Sequence, residues 1–93
     1  MSIVVRFNPK NLTQETYDES VRRLEAVGAW PSPVGLQVHV LFGSEGDLRV
    51  SEIWDSREQL DAFGATMMPI LQEVGVEFAG PPEVFEVHNL VTR

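Results

Sequence analysis

The chain has 93 residues, 43% of them apolar, with fourteen acids against seven bases and no cysteine; at that length it holds one domain, residues 1–93, able to bury roughly 60–65% of its unfolded surface. A formal charge of −7 works against binding nucleic acid or anionic lipid, and the missing thiols exclude disulfides, cysteine nucleophiles, cysteine-ligated metal centres and dithiol redox chemistry. No apolar run approaches the ~18 residues of a membrane span and the N-terminus lacks a signal-peptide core, so a cytoplasmic protein with no nucleic-acid or membrane partner is expected.

Met1 to Phe7 carries the β-branched run Ile3-Val4-Val5 and stops at Asn8-Pro9, where proline's missing N–H ends a ladder. From Asn11 the period changes: Leu12, Tyr17, Val21, Leu24 and Val27 share one face, as in an amphipathic helix. Asn11 with Gln14 resembles its cap, Asp18/Arg22 and Glu19/Arg23 have supporting i,i+4 spacing, and Gly28 suits its left-handed end. Trp30-Pro31-Ser32-Pro33 forces an extended connection. Leu36–Phe42 and Leu48–Trp54 read as an antiparallel hairpin around Gly43–Asp47, with Gly46 left-handed. Ser56 with Gln59 makes a capping box before Leu60, Phe63, Met67, Ile70, Leu71 and Val74, a second amphipathic helix. Pro69 inside it predicts a kink or a fresh short helix. Gly80-Pro81-Pro82 punctuates the chain, and Val84–Val91 reads as a last strand.

The order β-α-β-β-α-β is that of a ferredoxin-like α+β fold, a four-stranded antiparallel sheet with both helices on one face. A solvated second face should be polar at alternate positions. Instead Leu36, Val38, Val40 and Phe42 oppose Leu41, and Val84 and Leu90 oppose Phe85, Val87 and Val91. Both faces want burial, which predicts a symmetric homodimer; the alternative is a monomer screened by the Trp30–Gly35 loop and the C-terminus.

His39, between Val38 and Val40, is either hydrogen-bonded in the core or lining a cavity. Its candidate neighbour is Glu52, but hairpin loops of different length put Glu52 or Ser51 opposite it, and one residue of slip reverses the faces. Arg6 on the central first strand is expected in a structural ion pair or as an electrostatic partner of the site, and His88 shares a strand face with Glu86. The two histidines lack the HxH, HxxxH or HExxH spacing of a metal site, so no metal is expected. Tyr17, Trp30, Phe63 and Met67 suit an apolar pocket for an aromatic ligand, although plain core packing is the default for them and Trp30, in its proline-flanked loop, is expected as a lid or dimer contact. Nothing resembles a nucleophile elbow, a P-loop or a dinucleotide fingerprint.

Trp54-Asp55-Ser56-Arg57-Glu58-Gln59-Leu60 resembles the Trp-acid-Ser segment of the dimeric α+β-barrel superfamily, in particular its antibiotic-biosynthesis-monooxygenase-like domains. Met68-Pro69-Ile70-Leu71 and Val74-Gly75-Val76 resemble the continuation in bacterial members. The resemblance implies a homodimer forming a barrel, with a ligand cavity between helices and sheet. Among the activities it implies are cofactor-independent quinone-forming oxidation and haem degradation. The haem-degrading branch carries a tryptophan in mid-helix two and a ligating histidine near that helix's end; here Phe63 stands at the first position and the helix has no histidine, which points away from haem. The expectation is a small apolar or aromatic ligand, oxidised without a cofactor, with His39 as base and Arg6 or His88 as electrostatic partners. The competing expectation is a non-catalytic ligand-binding or structural domain. A cavity of about 300 Å³ or more entered by His39 favours the first; a filled core with His39 bonded to backbone favours the second.

Overall fold

The β-branched and aromatic runs pair as strands and the two apolar stripes coil over them. The computed structural model describes all residues, Met1–Arg93. It contains β1 (Ile3–Phe7), α1 (Gln14–Ala26), β2 (Leu36–Ser44), β3 (Asp47–Trp54), α2 (Arg57–Val74) and β4 (Glu83–Glu86). The sheet order is β2-β3-β1-β4, with every neighbouring pair antiparallel. Leu24 of α1 and Leu60 and Phe63 of α2 pack on Ile3, Val5 and Trp54, so both helices cover one face. A second cluster, Leu12, Leu48, Leu71 and Val76, closes the hairpin end of that layer. No helix is long and apolar enough to cross a membrane.

Local chemistry moves several expected boundaries. The cap of α1 is Thr13, whose hydroxyl accepts from the Thr16 N–H while the Thr16 hydroxyl accepts from the Thr13 N–H. Asn11 is a tether instead: its amide donates to the Gly75 carbonyl at 2.8 Å and accepts from the Glu77 N–H at 2.8 Å, joining the entry of α1 to the exit of α2. Helix α2 runs unbroken through Pro69, so no fresh short helix forms. Pro69 and Ala65, the residue whose carbonyl loses its i+4 donor, are both exposed; water can satisfy that carbonyl while Phe63, Met67 and Leu71 hold the helix to one core on either side.

The hairpin turn is Glu45-Gly46 alone, with Ser44 paired to Asp47. Gly43, expected in the loop, is a strand residue at φ +105°, and a Cβ there would collide with the Asp47 backbone. At the far end of β2 the register shifts between Leu36, opposite Trp54, and Val38, opposite Ile53, so Gln37 is bulged. The bulge corrects the expected grouping: Leu36 joins His39 and Leu41 on the helix side, leaving Val38, Val40 and Phe42 on the other. Strand β4 is also shorter than expected. Its only neighbour is β1, Glu86 pairs with Ile3, and the Val87 N–H reaches the Ser2 carbonyl at 3.0 Å; beyond that the chain has no partner strand.

The helix-free face carries Val38, Val40, Phe42 and Phe85, 37–52% exposed. In the single chain it is uncovered, because Trp30, expected as a possible screen, packs against the helix-side core.

Candidate functional site

A two-residue turn decides what His39 meets. Counting back from Ser44/Asp47 along the ladder puts His39 opposite Glu52, and the same parity puts Glu52 beside Trp54, two residues on along the same face of β3. Glu52 is 2% exposed. A buried carboxylate is costly unless donors surround it, and here both oxygens are served: Oε1 accepts from Trp54 Nε1 at 3.0 Å and Oε2 lies 2.6 Å from His39 Nδ1.

The other imidazole nitrogen, Nε2, lies 2.6 Å from the Tyr17 hydroxyl, presented by α1. Burial raises the Tyr17 pKa above its usual value, reinforced by the negative charges of Glu52 and Asp18. Tyr17 therefore keeps its proton and donates it. With a neutral imidazole, that hydroxyl donates to Nε2 and the ring proton sits on Nδ1, pointing at Glu52. The result is a line of hydrogen bonds from Tyr17 through His39 to Glu52, with Trp54 closing its buried end. No buried side-chain polar atom is left without a partner.

Aromatic rings enclose the line. Trp30 meets His39 edge-on, centroids 4.7 Å apart at 80°, and Phe63 of α2 lies 6.1 Å from Trp30 and 5.4 Å from Trp54. Beside them is a cavity of about 70 Å³ whose wall includes Tyr17, Trp30, His39, Glu52, Phe63 and Met67. Twelve of its sixteen lining residues are hydrophobic. Such a space admits several waters, each needing about 10–15 Å³, and falls short of the roughly 300 Å³ expected for a drug-sized ligand.

The structure thus brings together His39, Glu52, Tyr17, Trp30, Phe63 and Met67. It separates Arg6 and His88 from them, and both expectations are corrected. Arg6 lies between Val5 and Phe7 on β1; since those two face the helices, Arg6 faces the open side, where no carboxylate approaches within 4 Å and the expected ion pair is not made. His88 is exposed and beyond the end of β4. Neither lines the cavity. Trp54 was legible as part of a fold motif but not as a donor to Glu52, although their spacing of two on a strand carries that signal. The Tyr17–His39 bond had a weaker one: a tyrosine on a buried helical stripe needs a partner for its hydroxyl. No three His, Asp or Glu side chains converge on a common point.

No family model matches the sequence, and no curated protein matches it. Solved structures do. Protein YJCS aligns over 95% of this chain and 100% of its own at TM-score 0.67 and 12% identity. SnoaB, a cofactor-independent oxygenase from Streptomyces nogalater, aligns over 99% and 96% at TM-score 0.57 and 15% identity. The heme-degrading protein Rv3592 from Mycobacterium tuberculosis aligns over 99% and 100% at TM-score 0.58 and 19% identity. At such identities the likeness speaks for the fold alone. The chain has a β-α-β-β-α-β ferredoxin-like fold, and that fold is what these solved structures share with it.

Proposed function

We propose that this protein binds a small, largely apolar aromatic molecule in the cavity beside His39 and acts on it as a cofactor-independent monooxygenase with a phenolic, quinol-like substrate. The observation that carries the reading is the Tyr17–His39–Glu52 line at the wall of an apolar cavity. Glu52 holds the His39 ring with Nδ1–H toward itself and stabilises the imidazolium that forms when Nε2 takes a proton, the role a buried carboxylate plays behind any histidine base. Removing the phenolic proton makes the ring electron-rich enough to meet dioxygen. Oxygen bonds to a ring carbon bearing hydrogen, the O–O bond breaks, one oxygen remains as a new carbonyl and the other leaves as water with the ring hydrogen and the phenolic proton. The substrate supplies all four electrons, so no further reductant is required.

We further propose that two copies pair through the helix-free sheet face, since Val38, Val40, Phe42 and Phe85 form an apolar surface that a symmetric dimer would bury on both chains at once. The supporting parallel is the expectation drawn from the Trp54-Asp55-Ser56 segment.

A second reading has its own observation. The cavity is small and every polar atom in the cluster is already paired, as in a structural domain whose histidine is a satisfied core residue. Turnover separates the two: with an aerobic naphthoquinol as substrate, His39→Ala should abolish oxygen uptake while the circular dichroism spectrum stays folded. Oxygen uptake unchanged by that substitution, or no uptake by the unmodified protein across a quinol series, leaves the structural reading.

A further inference from the structure

The nitrogen that would receive the substrate's proton is covered. Nε2 of His39 is bonded to Tyr17, Nδ1 to Glu52, and the second Glu52 oxygen to Trp54, so neither imidazole nitrogen is open to the cavity. A ligand hydroxyl can bond an imidazole nitrogen only by replacing the member that holds it. Glu52 and Trp54 are buried at 2% and 0% exposure and locked in neighbouring positions of one strand. Tyr17 is different: it ends the line, is half-buried, and sits on α1, where a side-chain rotation moves the phenol without breaking any backbone pairing.

We propose that Tyr17 is an internal stand-in for the ligand, and that a phenolic molecule enters the cavity by exchanging its own hydroxyl for that of Tyr17 on His39 Nε2. This rests on reading the cavity as a ligand site but not on catalysis. Three features support it. The occupant is itself a phenol, bonded at 2.6 Å, so exchange replaces one O–H···N bond by an equivalent one and leaves apolar contact to provide the affinity. The cavity of about 70 Å³ is too small for an aromatic ligand beside Tyr17, whereas withdrawal of the ring adds a phenol-shaped space in continuity with it. The seat is built for a ring: the His39 plane lies 26° from that of Tyr17 with centroids 5.9 Å apart, and Trp30 packs on the same imidazole at 80° with centroids 4.7 Å apart.

Tyr17 then also sets specificity. An aromatic hydrocarbon that displaced it would leave Nε2 buried without a donor, a loss that disfavours it by about tenfold or more against the matching phenol. A hydroxylated ring restores the bond. The chemical class selected is a monocyclic or bicyclic phenol, with the hydroxyl directed to His39 and the hydrocarbon body toward Phe63 and Met67.

The test is calorimetric titration of the full chain with p-cresol and with toluene, for the unmodified protein, Tyr17→Phe and Tyr17→Ala. The unmodified protein should prefer p-cresol by about tenfold or more. Tyr17→Phe, which keeps the ring and removes the competing hydroxyl, should bind p-cresol about tenfold tighter, and Tyr17→Ala at least as tightly because the seat is vacated. If p-cresol binds the unmodified protein but Tyr17→Phe binds it equally or more weakly, the stand-in role is overturned while the ligand cavity stands. If neither probe binds any of the three, the cavity reading falls with it.

Discussion

The two faces of the sheet are made from alternate residues of the same strands, yet they do different work. On the helix side Val5 and Trp54 are fully buried, and the only charged group enclosed there, Glu52, is fully hydrogen-bonded. On the open side Val38, Val40 and Phe42 are more than a third exposed, with Arg6 and Arg49 close by around a small cleft. Parity alone separates them. A residue count in one turn and one bulge decides which face holds the imidazole and which holds the apolar patch, so the site and the proposed assembly surface are specified together.

The largest expected effect comes from the buried side. Glu52→Ala leaves His39 Nδ1 and Trp54 Nε1 without acceptors and should destabilise the fold by about 3 kcal/mol, lowering Tm by roughly 12–24 °C at this size; denaturant titration will read it. A loss under about 1 kcal/mol would show that water replaces the carboxylate at little cost. On the open side, Val40→Lys should convert a dimer to a monomer in sedimentation equilibrium and remove the concentration dependence that dimerisation gives to unfolding. A substituted protein that still sediments as a dimer places the interface elsewhere, and an unmodified protein that is monomeric at micromolar concentration removes the dimer proposal.

Trp54→Phe deletes the indole donor to Glu52 and part of a fully buried ring, and about 2–3 kcal/mol is expected from the lost bond and the void together. Smaller effects follow from titration. Tyr17 has a raised pKa caused first by burial. The folded state therefore holds a proton that the unfolded state releases, so the associated stability is present below the ordinary tyrosine value and is lost as pH rises past about 10 toward the folded value. The alkaline decline should flatten in Tyr17→Phe. Glu19 has the opposite sign: hydrogen bonds from Arg23 and Arg22 lower its pKa. Its contribution is present above the ordinary glutamate value and is lost as pH falls through the lower folded-state value, and because the group is on the surface, Glu19→Gln should remove only a slight acid-side slope that salt also erases.

Periodicity made the element order legible, because a shift between periods 2 and 3.6 survives small boundary errors. Register was not legible. Gly43 and Gly46 both read as turn residues, yet Gly43 lies in the strand at positive φ because its partner backbone comes too close for a Cβ, and the loop shrinks to two residues. Gln37 carries no mark of a bulge, so alternation alone puts Leu36 on the face of Val38, Val40 and Phe42, which the register shift reverses. Alternation carries the last strand on through His88, whereas β4 ends at Glu86 because an edge strand extends only as far as its neighbour. Arg6 was legible in parity but not in company: alternation puts it opposite Val5 and Phe7, and no carboxylate meets it. His39, Glu52 and Tyr17 were each recognisable as unusual for buried apolar patterns. Their junction needed the register of β2 on β3 and the seating of α1, both set by packing rather than by any local motif.

The central claim is that the Tyr17–His39–Glu52 line walls a site for a phenolic aromatic molecule. Calorimetric titration of the unmodified protein and His39→Ala with a naphthoquinol under anaerobic conditions tests it most directly. Saturable binding that weakens by about tenfold or more in His39→Ala is the predicted result, as expected for a ligand hydroxyl bonded to a buried nitrogen; equal affinity in the two proteins, or no binding to either, would contradict the account.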